Sequence, residues 1–310
     1  MRIAVLGGGG AMGGIFGGAL SEAGEEVVLI DVAEAAVDAI NQHGLQIDRK
    51  DGSSVNVRLR ASSKPDSVGP VDLIINFVKC YHTEAAIRAA APLLGPDTAI
   101  LTLQNGWGNA DRIAALVGRE RVLVGLTYNS GTLLAPGRVR HSGIGATYVG
   151  ELDGRSTPRL EAAVAALRKA GIDTTLSARI VEEIWNKLAL NVCTLPTAAL
   201  LRFPAHQLIQ HDGTNALMRA LLAEVVAVAA AQNIALDAGE RWQAIVKLLE
   251  QAIGARASML QDVEACRQTE IDVVNGAIVD AGRRYAIATP YNEAMVWMVK
   301  SLQETFASGG

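Results

Sequence analysis

Short apolar runs recur along the first half of the chain, at residues 3–6, 26–30, 72–77, 99–103, 121–127 and 146–152, and stretches able to form helices lie between them. That alternation predicts strand–helix–strand crossovers and a largely parallel sheet. Leu73-Ile74-Ile75 and Val122-Leu123-Val124 are apolar without a break, as strands buried on both faces are. Residues 53–60 alternate instead, with Val55, Val57 and Leu59 among polar neighbours, and predict a strand at the sheet edge. From about residue 176 the period lengthens: Leu217, Leu221, Leu222, Val225, Val226 and Val228 form one apolar stripe on a helix. Residues 180–192 predict another helix, and no strand-rich region follows. The chain is expected to carry an α/β domain with a mostly parallel sheet over residues 1–175 and an all-helical domain over residues 176–310. Substrate is expected in a cleft between them, at the carboxyl ends of the strands. Residues 307–310 are expected to be a frayed tail.

Composition adjusts this picture only at its margins. With 310 residues, half of them hydrophobic and 19% charged, the chain has material for two ordered cores. A net charge of −4, scattered basic residues and few aromatics give no surface suited to nucleic acid. Cys80, Cys193 and Cys266 are odd in number and far apart. They argue against a disulfide framework, suit a reducing compartment and read as buried small hydrophobes. The dispersed histidines have no spacing typical of a metal site. The first strand runs straight into glycines, unlike a signal peptide, and the most apolar later stretch, residues 216–231, is interrupted by Arg219 and Glu224. A cytoplasmic protein with neither membrane nor nucleic-acid partners is expected, and the C-terminal apolar stripes leave a homodimer open.

The chemistry begins where the first strand ends. Arg2-Ile3-Ala4-Val5-Leu6 leads into Gly7-Gly8-Gly9-Gly10-Ala11-Met12-Gly13, with Gly8, Gly10 and Gly13 at the spacing of a dinucleotide-binding turn. The first glycine permits the tight turn, the second lets backbone approach a pyrophosphate, and the third lets helix and strand pack closely. Spacing alone is weak evidence among 31 glycines. Its place between a strand and a helix, with Asp31 closing the second strand, makes it specific. Asp31 can accept hydrogen bonds from both hydroxyls of an adenosine ribose, whereas a 2′-phosphate at ~4 Å would meet a repulsion of order ~1 to 4 kcal/mol. No Lys or Arg follows in residues 32–36 to receive that phosphate, so NAD(H) is favoured over NADP(H).

Other polar residues are individually ambiguous. Lys79 ends one apolar strand and Asn105-Gly106 follows another, but a surface lysine and an ordinary turn explain them equally. Lys187 and Asn191 share a helix face at i, i+4 and could address one ligand, yet Glu183 stands four residues before Lys187, as in an exposed ion pair. Thr269 with Asp272 could be no more than a capped helix start.

Jointly, the glycine turn, Lys79, Asn105-Gly106, Trp185-Asn186-Lys187-Leu188-Ala189-Leu190-Asn191, the segment Ser258 to Asp262 and Thr269-Glu270-Ile271-Asp272-x-x-Asn275-Gly276 resemble the ketopantoate reductase family, from the first strand to about residue 300. The resemblance implies a Rossmann-type domain followed by a helical one. It also implies reduction of a 2-oxo acid to a D-2-hydroxy acid by hydride transfer from a nicotinamide cofactor. By the same resemblance Lys187 is the general acid and Glu270 its partner at the substrate oxygen. Asn191, Ser258 and Asn105 hold substrate, while Gly8, Gly10, Met12, Gly13, Asp31, Lys79 and Asn105 surround the cofactor. A protonated amine in that role would also stabilise the developing alkoxide.

Two positions depart from the family pattern. A basic residue, matching use of NADPH, usually stands where this chain has Asp31; NADP(H) is thus implied by the resemblance and NAD(H) by the residue. Leu195 stands where the family commonly has a second asparagine before proline. Leucine gives a substrate hydroxyl no partner and suits a bulky apolar 2-oxo acid. An NAD-dependent D-2-hydroxyacid dehydrogenase acting on branched or aromatic 2-oxo acids is therefore the alternative within the family. A non-catalytic NAD(H)-binding sensor is the alternative outside it, opposed by the joint presence of Lys187, Ser258 and Glu270.

Overall fold

In the computed structural model, which describes residues 1–308, the chain forms two compact units. One comprises Met1–Gln104 with Asn109–Ile180; the other comprises Asn105–Gly108 with the chain from Val181 onward.

The first unit contains β1 (Arg2–Leu6), α1 (Ala11–Glu22), β2 (Glu26–Ile30), α2 (Glu34–His43), β3 (Leu45–Asp48), β4 (Ser54–Val57), β5 (Arg60–Ser62), β6 (Val71–Asn76), α3 (Thr83–Ala89) and β7 (Leu94–Thr102). It continues with α4 (Asn109–Val117), β8 (Val122–Thr127), β9 (Ser130–Ala135), β10 (Arg138–Gly143), β11 (Thr147–Gly150), α5 (Pro158–Lys169) and β12 (Thr174–Leu176). Eight strands form one sheet in the order β12-β11-β8-β7-β6-β1-β2-β5. Its neighbours pair in parallel except β8 with β11. The uninterrupted apolar runs form its centre, where Ile3, Val5, Leu73, Ile75 and Leu101 are fully buried. Because β1 lies between β2 and β6, strand order reverses at its carboxyl end, the point at which such sheets bind ligands.

A second sheet, β4-β3-β10-β9, packs on α1. Helix α1 lies between the two sheets, and its glycines explain how. A Cβ at Gly17 would lie 2.4 Å from Leu29 of the large sheet, and one at Gly18 would lie 2.5 Å from Ile47 of the small one. Each glycine lowers helix propensity by about 1 kcal/mol relative to alanine, and close contact on both faces requires it.

This second sheet corrects two sequence expectations. Residues 53–60 are not one edge strand: Ser54–Val57 joins the small sheet, whereas Arg60–Ser62 pairs with β2 at the edge of the large one. The hairpin β9–β10 has no counterpart among the predicted strands because its faces are mostly solvated. Its turn, Pro136-Gly137 with Gly137 at φ +71, was the available signal.

The second unit is helical: α6 (Ile180–Leu201, beginning on the last residue of the first unit), α7 (Asp212–Ala230), α8 (Ala238–Gln251), α9 (Ser258–Glu264), α10 (Asn275–Tyr285) and α11 (Pro290–Glu304). Trp185, Val192, Met218, Val225, Ile278 and Val299 are fully buried in its core. Helix α7 is long and apolar enough, by length and composition, to cross a membrane. Here its Met218, Leu221, Val225 and Val228 are enclosed by the unit. The helix expected over residues 180–192 runs on through Pro196 to Leu201, since burial of Ala198 and Ala199 sustains what propensity would end.

Three further readings can be set beside the structure. Thr269 does not cap a long helix: it accepts from Ile271 N and precedes a 3-10 turn at Ile271–Val273, while Asp272 pairs with Lys300 at 2.6 Å. Cys80 and Cys193 are buried, but Cys266 is exposed, in the turn that ends α9. Residues Thr305–Ser308 form a 3-10 turn, and Gly309 and Gly310 of the expected frayed tail lie outside the described residues.

Candidate active site

Candidate residues lie in both units, and each unit builds its share differently. In the first, Gly7 turns the chain out of β1 at φ +75, and the N–H groups of Gly7 and Gly8 both donate to Ile30 O, at 2.9 and 3.1 Å. Gly9 N donates to Asp31 Oδ2 at 2.8 Å and Ala33 N to Oδ1 at 3.0 Å. The carboxylate is thereby fixed at the end of β2, and each oxygen keeps a lone pair for a ligand.

The glycines divide into two kinds. A Cβ at Gly8 would meet Leu29 at 2.5 Å and one at Gly13 would meet Gly7 O at 2.2 Å, so packing excludes any side chain there. Gly10 has φ −80 and ψ 169, which any residue adopts, and a Cβ there would find one atom within 4 Å, Gly7 O at 3.2 Å. Only that carbonyl crowds the position, which lies at a helix start with no side-chain cap and no acidic residue in its first turn. A pyrophosphate fits that cradle by shape and by the sign of the helix dipole. Met12 is half-buried in the same first turn. Val32, beside Asp31, is apolar yet 90% exposed, a feature the sequence pattern did not single out.

Lys79 follows β6 and immediately precedes a 3-10 turn at Cys80–His82. Its loop is organised by a residue that sequence reasoning missed. Gln104 Oε1 accepts from Asn76 Nδ2 at 2.8 Å and from Thr102 Oγ1 at 3.0 Å; its Nε2 donates to Val78 O at 2.6 Å and Thr83 Oγ1 at 2.8 Å. One amide thus ties the end of β6 to the end of β7. A glutamine directly before Asn105-Gly106 was the visible hint.

The second unit gathers Asn105, Lys187 and Glu270 from distant parts of the chain. Lys187 Nζ donates to Asn105 Oδ1 at 2.8 Å. The two residues after Asn105 anchor it: Trp107 N donates to Val273 O at 2.9 Å, and the Trp107 ring meets Trp185 edge-on with centroids 5.7 Å apart. Gly106, at φ +87, must be glycine because a Cβ would sit 2.3 Å from Val273 O. Burial pushes the Lys187 ammonium from 10.5 down to about 8, against the Glu270 carboxylate, which favours the charged form. The lysine is therefore able to change protonation near neutral pH, as a proton donor must.

Asn191 is buried one helical turn beyond Lys187, and Leu195, another turn on, belongs to the unit's apolar core with 9% exposure. Ser258 is exposed at the first residue of α9. Within the described residues the second unit therefore brings Asn105 and Lys187 into contact, within the field of Glu270, and places Asn191 on the same helix as Lys187; no hydrogen bond joins Ser258 to them. Among the described residues no cluster of three or more His, Cys, Asp or Glu could hold a metal ion.

Known proteins align over the whole of this arrangement. The profile of the family described as "Ketopantoate reductase PanE/ApbA" matches residues 3–154, and that of "Ketopantoate reductase PanE/ApbA C terminal" matches residues 179–303. A 2-dehydropantoate 2-reductase of Pyrococcus horikoshii is 30% identical, over 100% of this chain and 99% of its own. One of Halobacterium salinarum is 29% identical over 98% and 99%. Among solved structures, D-mandelate dehydrogenase with NADH and anilino(oxo)acetate superposes with a TM-score of 0.92 at 30% identity, covering 99% of each chain.

Proposed function

This chain belongs to the ketopantoate reductase family and is an NAD(P)-dependent reductase of 2-oxo acids, and from that premise we propose that it uses NADH and that Lys187 protonates the substrate oxygen. The observation that carries this reading is the amine of Lys187, held on Asn105 and lowered to about 8 beside Glu270. A reduced nicotinamide, when bound, would supply the hydride for the carbonyl carbon. As the carbonyl π bond opens, Lys187 gives its proton to the oxygen and afterwards recovers one from solvent. Before transfer the ammonium opposes the charge growing on that oxygen. Asn105 orients the amine, Glu270 favours its protonated form, and Asn191 and Ser258 supply polar atoms for the substrate. In the first unit Gly8, Gly10, Met12 and Gly13 accommodate the pyrophosphate, Asp31 accepts the ribose hydroxyls, Lys79 serves the cofactor side, and Val32 offers an apolar surface to a flat base.

Preference for NADH rests on Asp31, whose two oxygens already take backbone N–H groups and whose charge opposes a 2′-phosphate. The leucine at position 195, where the family commonly has asparagine, supports a second, narrower reading in which the substrate carries an apolar branched or aromatic group instead of a hydroxyl. The D-mandelate dehydrogenase relative, described with NADH, supports it. The product is the D-hydroxy acid on this reading, and the location cytoplasmic. Initial rates with NADH and NADPH against ketopantoate, 2-oxoisocaproate and benzoylformate test both readings. NADH is expected to exceed NADPH at least tenfold in kcat/KM, on the order of the charge repulsion above; the reverse order would remove the role given to Asp31. Faster turnover of ketopantoate than of the apolar acids would remove the role given to Leu195.

A further inference from the structure

Pro196 lies inside α6 and has no N–H, so the carbonyl four residues back, Val192 O, lacks its helical hydrogen bond. Asn275, the first residue of α10, supplies another: its Nδ2 donates to Val192 O at 3.2 Å and to Asn292 Oδ1 at 3.0 Å. The orientation of both amides is dictated by Glu224. Its carboxylate accepts from Asn292 Nδ2 at 2.7 Å and from the N–H groups of Tyr291 and Asn292, each at 2.9 Å. Asn292 must then turn its oxygen to Asn275, and Asn275 must turn its nitrogen to Val192. All three side chains are buried, and Asn275 Oδ1 has no partner among the described residues. An orphaned buried acceptor is destabilising, which singles out the nitrogen as the end of this amide that matters.

These bonds close a ring through the candidate site. Lys187 bonds Asn105; Trp107, two residues on, bonds Val273; Asn275, two residues further, bonds Val192, five residues along α6 from Lys187. Glu270 stands on the same limb, its carbonyl accepting from Val273 N at 3.2 Å. We infer that Asn275 is a positioning residue: by bonding the carbonyl that Pro196 leaves open, it holds the interrupted helix α6 in register with the segment carrying Glu270, and so sets the placing of Lys187. The inference rests on the reading of Lys187 and Glu270 as the groups that handle the proton.

The test uses the full-length chain. Asn275→Ala is expected to lower kcat for 2-oxo acid reduction about tenfold while leaving the NADH dissociation constant within about twofold. Glu270 is the charged group acting on the Lys187 amine. Carbon NMR of labelled lysine should therefore find the Lys187 titration lowered by about half a unit as that support weakens. Pro196→Ala, which returns an N–H to compete for Val192 O, should move kcat and the titration in the same direction without lowering Tm. If Asn275→Ala lowers Tm alone, with kcat and titration unchanged, the residue is only structural and the inference fails. Should Asn275→Ala not fold, unchanged kcat and titration in Pro196→Ala overturn it equally. Lys187→Ala separates the two levels: if that variant keeps its turnover, the proton-donor reading itself falls, whatever Asn275 does.

Discussion

The two units build their sites by opposite means. In the sheet unit the cradle is made within one strand–turn–helix and the end of the next strand, from Gly7 to Ala33, by backbone groups, the absence of side chains at the glycines and a single carboxylate, Asp31. In the helical unit the candidate residues Asn105, Lys187 and Glu270 come from distant parts of the chain, and their side chains make up the candidate site. A local site depends on excluded volume and tolerates change nowhere that backbones touch. A site assembled at long range depends on a network, and its members can be altered one at a time with graded effects.

The contrast can be tested most severely at Lys187. Lys187→Ala should lower kcat/KM for reduction by about 10²- to 10⁴-fold, with NADH affinity unchanged by fluorescence titration. Retention of turnover would show the network to be dispensable. The glycines come next. Gly13→Ala puts a Cβ onto Gly7 O and should lower Tm by more than about 5 °C, whereas Gly10→Ala should weaken NADH binding about tenfold with Tm nearly unchanged. If both lost stability equally, the space over Gly10 would be a packing feature and not a cradle. Asp31→Asn should improve the NADPH-to-NADH ratio of kcat/KM about tenfold, in line with removing one close charge repulsion.

The smallest effect concerns pH. A donor lowered to about 8 is protonated below that pH, so kcat/KM for reduction should be level there and fall as pH rises through it. Oxidation of the hydroxy acid should show the opposite limb. Glu270→Gln removes the charge that favours the ammonium, so the limb should move to lower pH by about one unit or less. An upward movement would mean that the carboxylate acts on some other group.

Much of this was legible in the residues themselves. The uninterrupted apolar runs at Leu73-Ile74-Ile75 and Val122-Leu123-Val124 could only be strands covered on both faces, and they lie inside the large sheet. The small sheet was not legible. Its strands keep one solvated face, their alternation is imperfect, and β3 pairs in parallel with β10, about ninety residues away. Gln104 is not legible because a side-chain amide at a strand end has no periodicity to betray it; only its four partners reveal what it joins. The alternative of a capped helix start at Thr269 is not what forms: a 3-10 turn stands there, with Asp272 paired to Lys300 and Val273 O bonded by Trp107 N.

The order of residues alone determined where strands and helices alternate, which glycines adjoin a strand and helix, and that a carboxylate closes β2, because each depends on neighbours within a few positions. Tertiary structure decided that a side chain at Gly10 would be crowded by Gly7 O alone, at 3.2 Å, whereas Gly8 and Gly13 have no room, that Asn275 bonds the carbonyl Pro196 leaves open in α6, and that a lysine with an ordinary helical spacing has its proton affinity lowered. Those properties depend on burial and on partners more than eighty residues away in the chain, and no local pattern encodes what will lie beside a side chain once the chain has closed on itself.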